Sequence, residues 1–224
     1  MEHRRLTLFA GHYGSGKTNI AVNYALHLAK KDKKVCIADL DIVNPYFRTA
    51  DSAAVLKDAG IDLISPKFAN SNVDLPALPA EAYRLVEDKS SYGIMDIGGD
   101  DRGAYALGRY VPFIKKENNY RMIFVANCYR PLTRTPEDAL EVMREIEAAC
   151  GLKFTCIVNN TNLGTETTAR TVTDAIENVN TLCRLSSLPL WLHTAEASVA
   201  QQLELPVLPL TLQEKYFDLP TQSF

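Results

Sequence analysis

Gly11-His12-Tyr13-Gly14-Ser15-Gly16-Lys17-Thr18 is the stretch that decides how this chain is read. Its spacing is Gly-x-x-x-x-Gly-Lys-Thr, with an apolar run over 6–10 directly before it and an amphipathic stretch from Asn19 directly after. Glycines at these places let the backbone wrap closely around phosphate oxygens, with N–H groups and the positive end of a helix pointing inward. Lys17 adds a charge for β- and γ-phosphates, and the Thr18 hydroxyl is a ligand for Mg²⁺. The segment is a P-loop, and Gly11 through Asn19 are the expected nucleotide contacts.

Outward from this loop, short β-rich runs alternate with longer helical patterns, which predicts a three-layer α/β sandwich with a mostly parallel sheet. Strands are expected over 6–10, 35–39, 62–64, 93–96, 121–126, 154–159 and 190–193. Several are apolar at consecutive positions, as strands covered on both faces should be. Helices are expected over 17–31, 79–87, 136–150 and 168–183. In the third, Thr135 is the N-cap, Pro136 the first helical residue, Asp138 a first-turn acid and Gly151 the stop. Residues 66–78 read as a loop, and the tail after Pro209 as a short helix over 213–217 that Pro220 ends.

The chain has 224 residues, 46% hydrophobic and 23% charged, so one globular domain over 1–224 is expected. A net charge of −3 gives no broad footprint for nucleic acid. Lys30, Lys31, Lys33 and Lys34 cluster at an expected helix end, where cations suit the dipole. The five cysteines are scattered and lack a Cys-x-x-Cys, which reads as reduced core residues of a cytoplasmic protein. The N-terminus lacks the apolar region of a signal peptide, and neither a membrane span nor a membrane-surface anchor is expected.

In an open parallel sheet, ligands gather at the carboxyl ends of strands. The second expected strand ends Asp39-Leu40-Asp41, two carboxylates on one side of an extended chain that could hold Mg²⁺ and orient an attacking water. The alternative is that both are turn and cap residues. The fourth ends Asp96-Ile97-Gly98-Gly99, which suits a Walker B acid for Mg²⁺ and a loop whose Gly98 or Gly99 N–H senses the γ-phosphate. Asp100, Asp101 and Arg102 follow, either as part of a moving segment or as its solvated edge. The sixth ends Asn159-Asn160-Thr161-Asn162, where an amide can offer both donor and acceptor to a base edge. Asn159 is the first candidate for the purine contact and Asn160 the second, against an Asn-rich turn.

In order and spacing these motifs resemble the MinD/ParA-like branch of P-loop NTPases, the deviant Walker branch that also includes nitrogenase iron protein, dethiobiotin synthetase and the cobyrinic acid synthases. The resemblance runs from Leu6 to about Leu203, although only the motifs are specific. It implies Asp41 as the residue positioning the hydrolytic water, Lys17 as the catalytic cation, Asp39, Asp96 and Thr18 at the metal, and Asn159 at adenine. The loop over 193–197 resembles the one that closes over the base. The sequence departs from MinD and ParA at His12, where they carry a second lysine that reaches across a dimer; Arg102 and Arg48 are candidate replacements for that charge. The function implied is a Mg²⁺-dependent ATPase acting as a switch between ATP and ADP for a protein partner, with a homodimer possible. The alternative is an ATP-dependent small-molecule kinase or ligase of the dethiobiotin synthetase or cobyrinic acid synthase type, its acceptor held by 44–48 or 67–72. The absence of Asn-Lys-x-Asp after the sixth strand leans toward ATP over GTP.

Overall fold

Consecutive buried apolar residues in the strands leave no solvated face, so the sheet must be covered twice. A computed structural model, which describes residues 3–41, 49–65, 80–99 and 101–213, has this arrangement. The first half comprises β1 (Leu6–Ala10), α1 (Lys17–Ala29), β2 (Val35–Leu40), a 3-10 turn (Thr49–Ser52), α2 (Ala53–Asp58), β3 (Asp62–Ile64), a 3-10 turn (Ala80–Tyr83), α3 (Arg84–Glu87) and β4 (Tyr92–Ile97). After it come α4 (Asp101–Gly108), α5 (Val111–Glu117), β5 (Tyr120–Ala126), a 3-10 turn (Pro131–Thr133), α6 (Pro136–Cys150) and β6 (Cys156–Asn159). The last elements are a 3-10 turn (Gly164–Glu166), α7 (Ala169–Asp174), α8 (Ile176–Ser186), β7 (Leu190–Glu196), α9 (Ala197–Ala200) and β8 (Val207–Leu210).

The strands form one eight-stranded sheet in the order β3-β2-β4-β1-β5-β6-β7-β8, and every pair is parallel. Alternate residues feed opposite cores, as the two-residue period demands. Leu8, Met95, Phe124 and Ile157 pack under the helices that include α4, α6 and α8. Phe9, Ile37, Ile94, Val125 and Val158 pack under α1 and α2. From β1 the chain builds outward through β2 and β3 on one side, while β5 to β8 extend the other. The crevice at the end of β1 is therefore the topological switch point, where such sheets bind ligands.

Several expectations need adjusting. β8 was not expected because Pro209 interrupts its apolar run, but among the described residues β8 is an edge strand pairing only with β7, and an edge tolerates proline. The helix expected over 79–87 is a 3-10 turn followed by a single turn of α3. The one expected over 168–183 breaks at Ala175, which ends α7 and precedes α8. α2, α4 and α5 were not expected; Gly103, Gly108 and Pro112 obscure the last two. α6 has the expected start and stop: Thr135 Oγ1 accepts the Asp138 N–H at 3.1 Å and Gly151 closes it at φ 73°. The loop over 66–78 and the tail helix lie outside the described residues, apart from Gln213. All five cysteines are free thiols. Among the described residues no helix is long and apolar enough to cross a membrane.

Candidate nucleotide site

β1 is buried throughout and delivers the P-loop straight into the first turn of α1. The N-cap of α1 is Gly16 in the left-handed conformation, with no side-chain cap and no acid in the first turn. α6, in contrast, starts with a threonine cap and with Glu137 and Asp138 in its first turn. α1 thus leaves its first N–H donors and its positive end for an anion. Ser15 Oγ beside it is buried with no hydrogen-bond partner among the described residues. Lys17 is buried, and its Nζ donates to the His12 carbonyl at 3.3 Å, so the ammonium is folded back onto the loop it serves. The donor set fits a phosphate chain.

On one side of this loop the sheet register pairs Asp39 of β2 with Asp96 of β4. Both are fully buried, Asp41 is nearly so, and Lys17 is the buried cation beside them. Buried like charges are costly unless something compensates them. Burial pushes the Asp96 carboxyl up to about 6; the Lys17 ammonium opposes the shift, as do a weaker Thr18 contact and Thr49, while Asp41 reinforces it. Asp96 Oδ2 accepts the Thr49 hydroxyl at 2.9 Å, and its Oδ1 has no hydrogen-bond partner among the described residues. Asp39 Oδ1 accepts the Asp41 N–H at 3.1 Å, an Asx turn that aims the two carboxylates. Thr18, Asp39 and Asp96 are the residues that would hold Mg²⁺. Among the described residues no three acidic, histidine or cysteine side chains form a complete metal cage. Mg²⁺ needs none, because it keeps waters and phosphate oxygens in its shell.

The loop leaving β4 is pressed onto the P-loop. A Cβ at Gly99 would lie 2.6 Å from the Tyr13 nitrogen and 3.0 Å from the Gly11 carbonyl oxygen, so only glycine fits there. Gly98 is buried behind it. Asp100 lies outside the described residues, as do the side chains of Asp101 and Arg102.

On the other side of the loop the groups are neutral amides. Asn160 Nδ2 donates to the Ser15 carbonyl at 2.7 Å, and its Oδ1 accepts the Thr194 hydroxyl at 2.6 Å. Asn159 is fully buried; its Nδ2 meets His193 Nδ1 at 3.0 Å and its Oδ1 accepts the Thr161 N–H at 3.0 Å. Burial lowers the His193 pKa, which suits a neutral ring accepting that amide hydrogen. The two asparagines thus brace the P-loop and β7, and Asn159 presents no surface to a base in this conformation. Asn19 is engaged too, its Oδ1 accepting the Gln213 N–H at 3.1 Å. Along this edge, a cavity of about 480 Å³ opens between residues 164–167, Glu196–Val199 and Leu210–Leu212.

His12 is not a fixed cation. Burial lowers its pKa first, with Lys17 and Arg130 lowering it further against a favourable Tyr13 backbone contact. Arg48 lies outside the described residues. Sequence reasoning missed Thr49, Asn127 and Arg130, which stand on loops where no short motif marks them. A basic residue after the fifth strand is the only signal that could have flagged Arg130.

A buried strand feeding a glycine cradle, register-paired carboxylates beside it and an eight-stranded parallel sheet define the P-loop NTPase fold. Comparison with protein-family models finds no match, and none is found among curated proteins. Solved structures do match. The cell division protein FtsY from Thermotoga maritima is 16% identical, with a TM-score of 0.60 over 87% of this chain and 62% of that one. The signal recognition particle receptor FtsY from Elizabethkingia anophelis, in complex with GDP, is 15% identical with a TM-score of 0.54, over 87% and 58%. The signal recognition particle 54 kDa protein from Aeropyrum pernix, also with GDP, is 15% identical with a TM-score of 0.52, over 84% and 40%. The likeness is one of fold, and the chain spans 62% or less of the length of these three proteins.

Proposed function

We propose that the protein is a Mg²⁺-dependent ATPase that works as a nucleotide switch of the MinD/ParA type. The observation that carries this reading is the juxtaposition of the Asp39–Asp96 register pair with the uncapped start of α1. One end supplies fixed positive dipole and Lys17, the other an excess of buried carboxylate, and a metal–phosphate pair matches both. When bound, Mg²⁺ would neutralise β- and γ-phosphate oxygens. Lys17 would hold those same oxygens from the P-loop side, and Asp41, aimed by its Asx turn, would orient the attacking water and accept its proton. Gly99, in contact with the P-loop backbone, would carry the state of the phosphate into α4, the order-and-release device of many switches.

The preference for ATP rests on chemistry at the end of β6. Guanine needs an acceptor for its N1–H and amino group, usually a carboxylate, whereas residues 159–163 are Asn-Asn-Thr-Asn-Leu. Asn162, the partly exposed amide of this loop, is the proposed adenine contact. The fold neighbours solved with GDP make ATP against GTP the deciding comparison. The segments proposed to hold a small-molecule acceptor lie outside the described residues. The test is ATP turnover with Mg²⁺ for wild type and Lys17→Ala, together with size-exclusion chromatography in each nucleotide state. Slow, Lys17-dependent hydrolysis with a nucleotide-dependent change of size or partner binding supports the switch. Tight binding without turnover or size change, relieved by a metabolite, overturns it in favour of the kinase or ligase.

A further inference from the structure

Arg130 stands in the loop between β5 and the turn Pro131–Thr133, and its Nε donates to the Gly14 carbonyl at 2.8 Å. The side chain packs against that glycine: a Cβ there would sit 3.3–3.6 Å from Nε, Cζ and Cδ. Gly14 is also left-handed at φ 73°, a backbone conformation that favours glycine. Among the described residues no carboxylate pairs with Arg130, and no hydrogen bond from its terminal nitrogens is found beyond the Nε contact. By contrast Arg5, a structural arginine, is paired with Glu117 and donates to three carbonyls.

The loop that carries Arg130 is tightly fixed. Asn127, fully buried at the end of β5, accepts the N–H groups of Tyr129 at 3.0 Å and Asn162 at 3.4 Å and donates to the Asn162 carbonyl at 3.3 Å. Its own carbonyl receives the Thr133 hydroxyl at 2.7 Å and the Arg130 N–H at 3.2 Å. The Cys128 N–H reaches Thr161 Oγ1 at 3.3 Å. A partly exposed arginine without a counter-ion is thus held at a fixed place over the phosphate cradle, an arrangement suited to a ligand rather than to the fold.

Sheet order says which part of the ligand. β4, with Asp96, flanks β1 on one side, and β5, with Arg130, flanks it on the other. Lys17, Thr18 and the carboxylates fix the γ end of a triphosphate, so the nucleoside end lies toward β5 and β6. We infer that Arg130 is a nucleoside-contact residue whose guanidinium plane stacks on the purine ring; the inference rests on the nucleotide-site reading above. A guanidinium is planar, weakly hydrated and stacks on π faces. Stacking ignores the base edge, so Arg130 adds affinity for adenine and guanine alike, and base choice falls to the amides after β6.

Calorimetric titration of wild type, Arg130→Ala, Arg130→Lys and Lys17→Ala with Mg·ATP, Mg·ADP and inorganic tripolyphosphate tests this. Arg130→Ala is expected to weaken ATP and ADP alike by about tenfold and to leave tripolyphosphate unchanged, with Arg130→Lys recovering little. Lys17→Ala is expected to weaken all three ligands. Equal weakening of tripolyphosphate by Arg130→Ala overturns the inference in favour of a phosphate contact or a loop brace, and unchanged nucleotide affinity overturns it outright. A wild type that binds none of the three overturns the nucleotide-site reading, and the inference with it.

Discussion

The two flanks of the P-loop are built by opposite means. On the β2–β4 side, Asp39, Asp41 and Asp96 crowd together in burial, and Asp96 keeps an oxygen without a hydrogen-bond partner among the described residues. On the β5–β7 side, Asn127, Asn159 and Asn160 form a connected network in which each amide has named partners for both its oxygen and its nitrogen. The first flank is electrostatically incomplete by itself, and the second is finished before any ligand arrives. A site so divided should gain stability from a cation on the first side, while the amide network of the second keeps its shape with or without ligand.

The largest effect that would break this comparison is at the cradle both flanks share. Lys17→Ala should lower Mg²⁺-dependent turnover by about a hundredfold or more, read as steady-state phosphate release; a small loss would mean that the loop does not hold the reacting phosphate. Next is Asp96→Asn. With no metal present it should stabilise the protein at pH above 7 by on the order of 3 kcal/mol, the equivalent of the rise from 3.8 to about 6, while weakening Mg²⁺ dependence. Thermal denaturation with and without Mg·ATP reads both, and a destabilised metal-free variant would contradict the picture of a costly buried charge.

The same carboxyl sets a pH signature. Its folded pKa lies above the unfolded value, so its contribution to stability is complete below about pH 4 and is lost as pH climbs through about 6. The stability difference between Asp96→Asn and wild type without metal should therefore widen across that window and stay flat above it. Mg²⁺ binding should show the reverse trend, weakening as pH falls below about 6.

On the finished flank, Asn160→Ala should cost about 1–3 kcal/mol, because Ser15 O and Thr194 lose their partner. That loss should be independent of metal, which chemical denaturation in the presence of chelator would check. The smallest change is expected from His12→Gln. Burial lowers the His12 pKa, so nucleotide affinity should differ little between the two proteins from about pH 6.5 to 8; a pH-dependent difference would restore His12 as a cation.

How much was legible in the sequence follows this division. The P-loop, the Asp39–Asp41 pair, Asp96 and the Gly98–Gly99 turn are local signals, because each needs a fixed residue type at a fixed step from a buried strand. Gly99 shows why: its lack of a side chain is demanded by backbone 2.6 Å away. Thr49, Asn127 and Arg130 are not local. Thr49 meets Asp96 across 47 positions of sequence, and Arg130 meets Gly14 across 116. Asn159 shows a further limit of local reading, since a strand-end amide suggests a base reader while its contact with His193, 34 positions away, is visible only in the fold. β8 was hidden by Pro209, whose missing donor matters only in a strand paired on both sides.

The most direct test of the account is a calorimetric titration of wild type and Lys17→Ala with ATP and with GTP, each with Mg²⁺ and with chelator. The expected result is saturable binding of ATP, tightened by Mg²⁺, tighter than GTP, and lost in Lys17→Ala. Equal binding by the two proteins, or no binding by wild type, would contradict it.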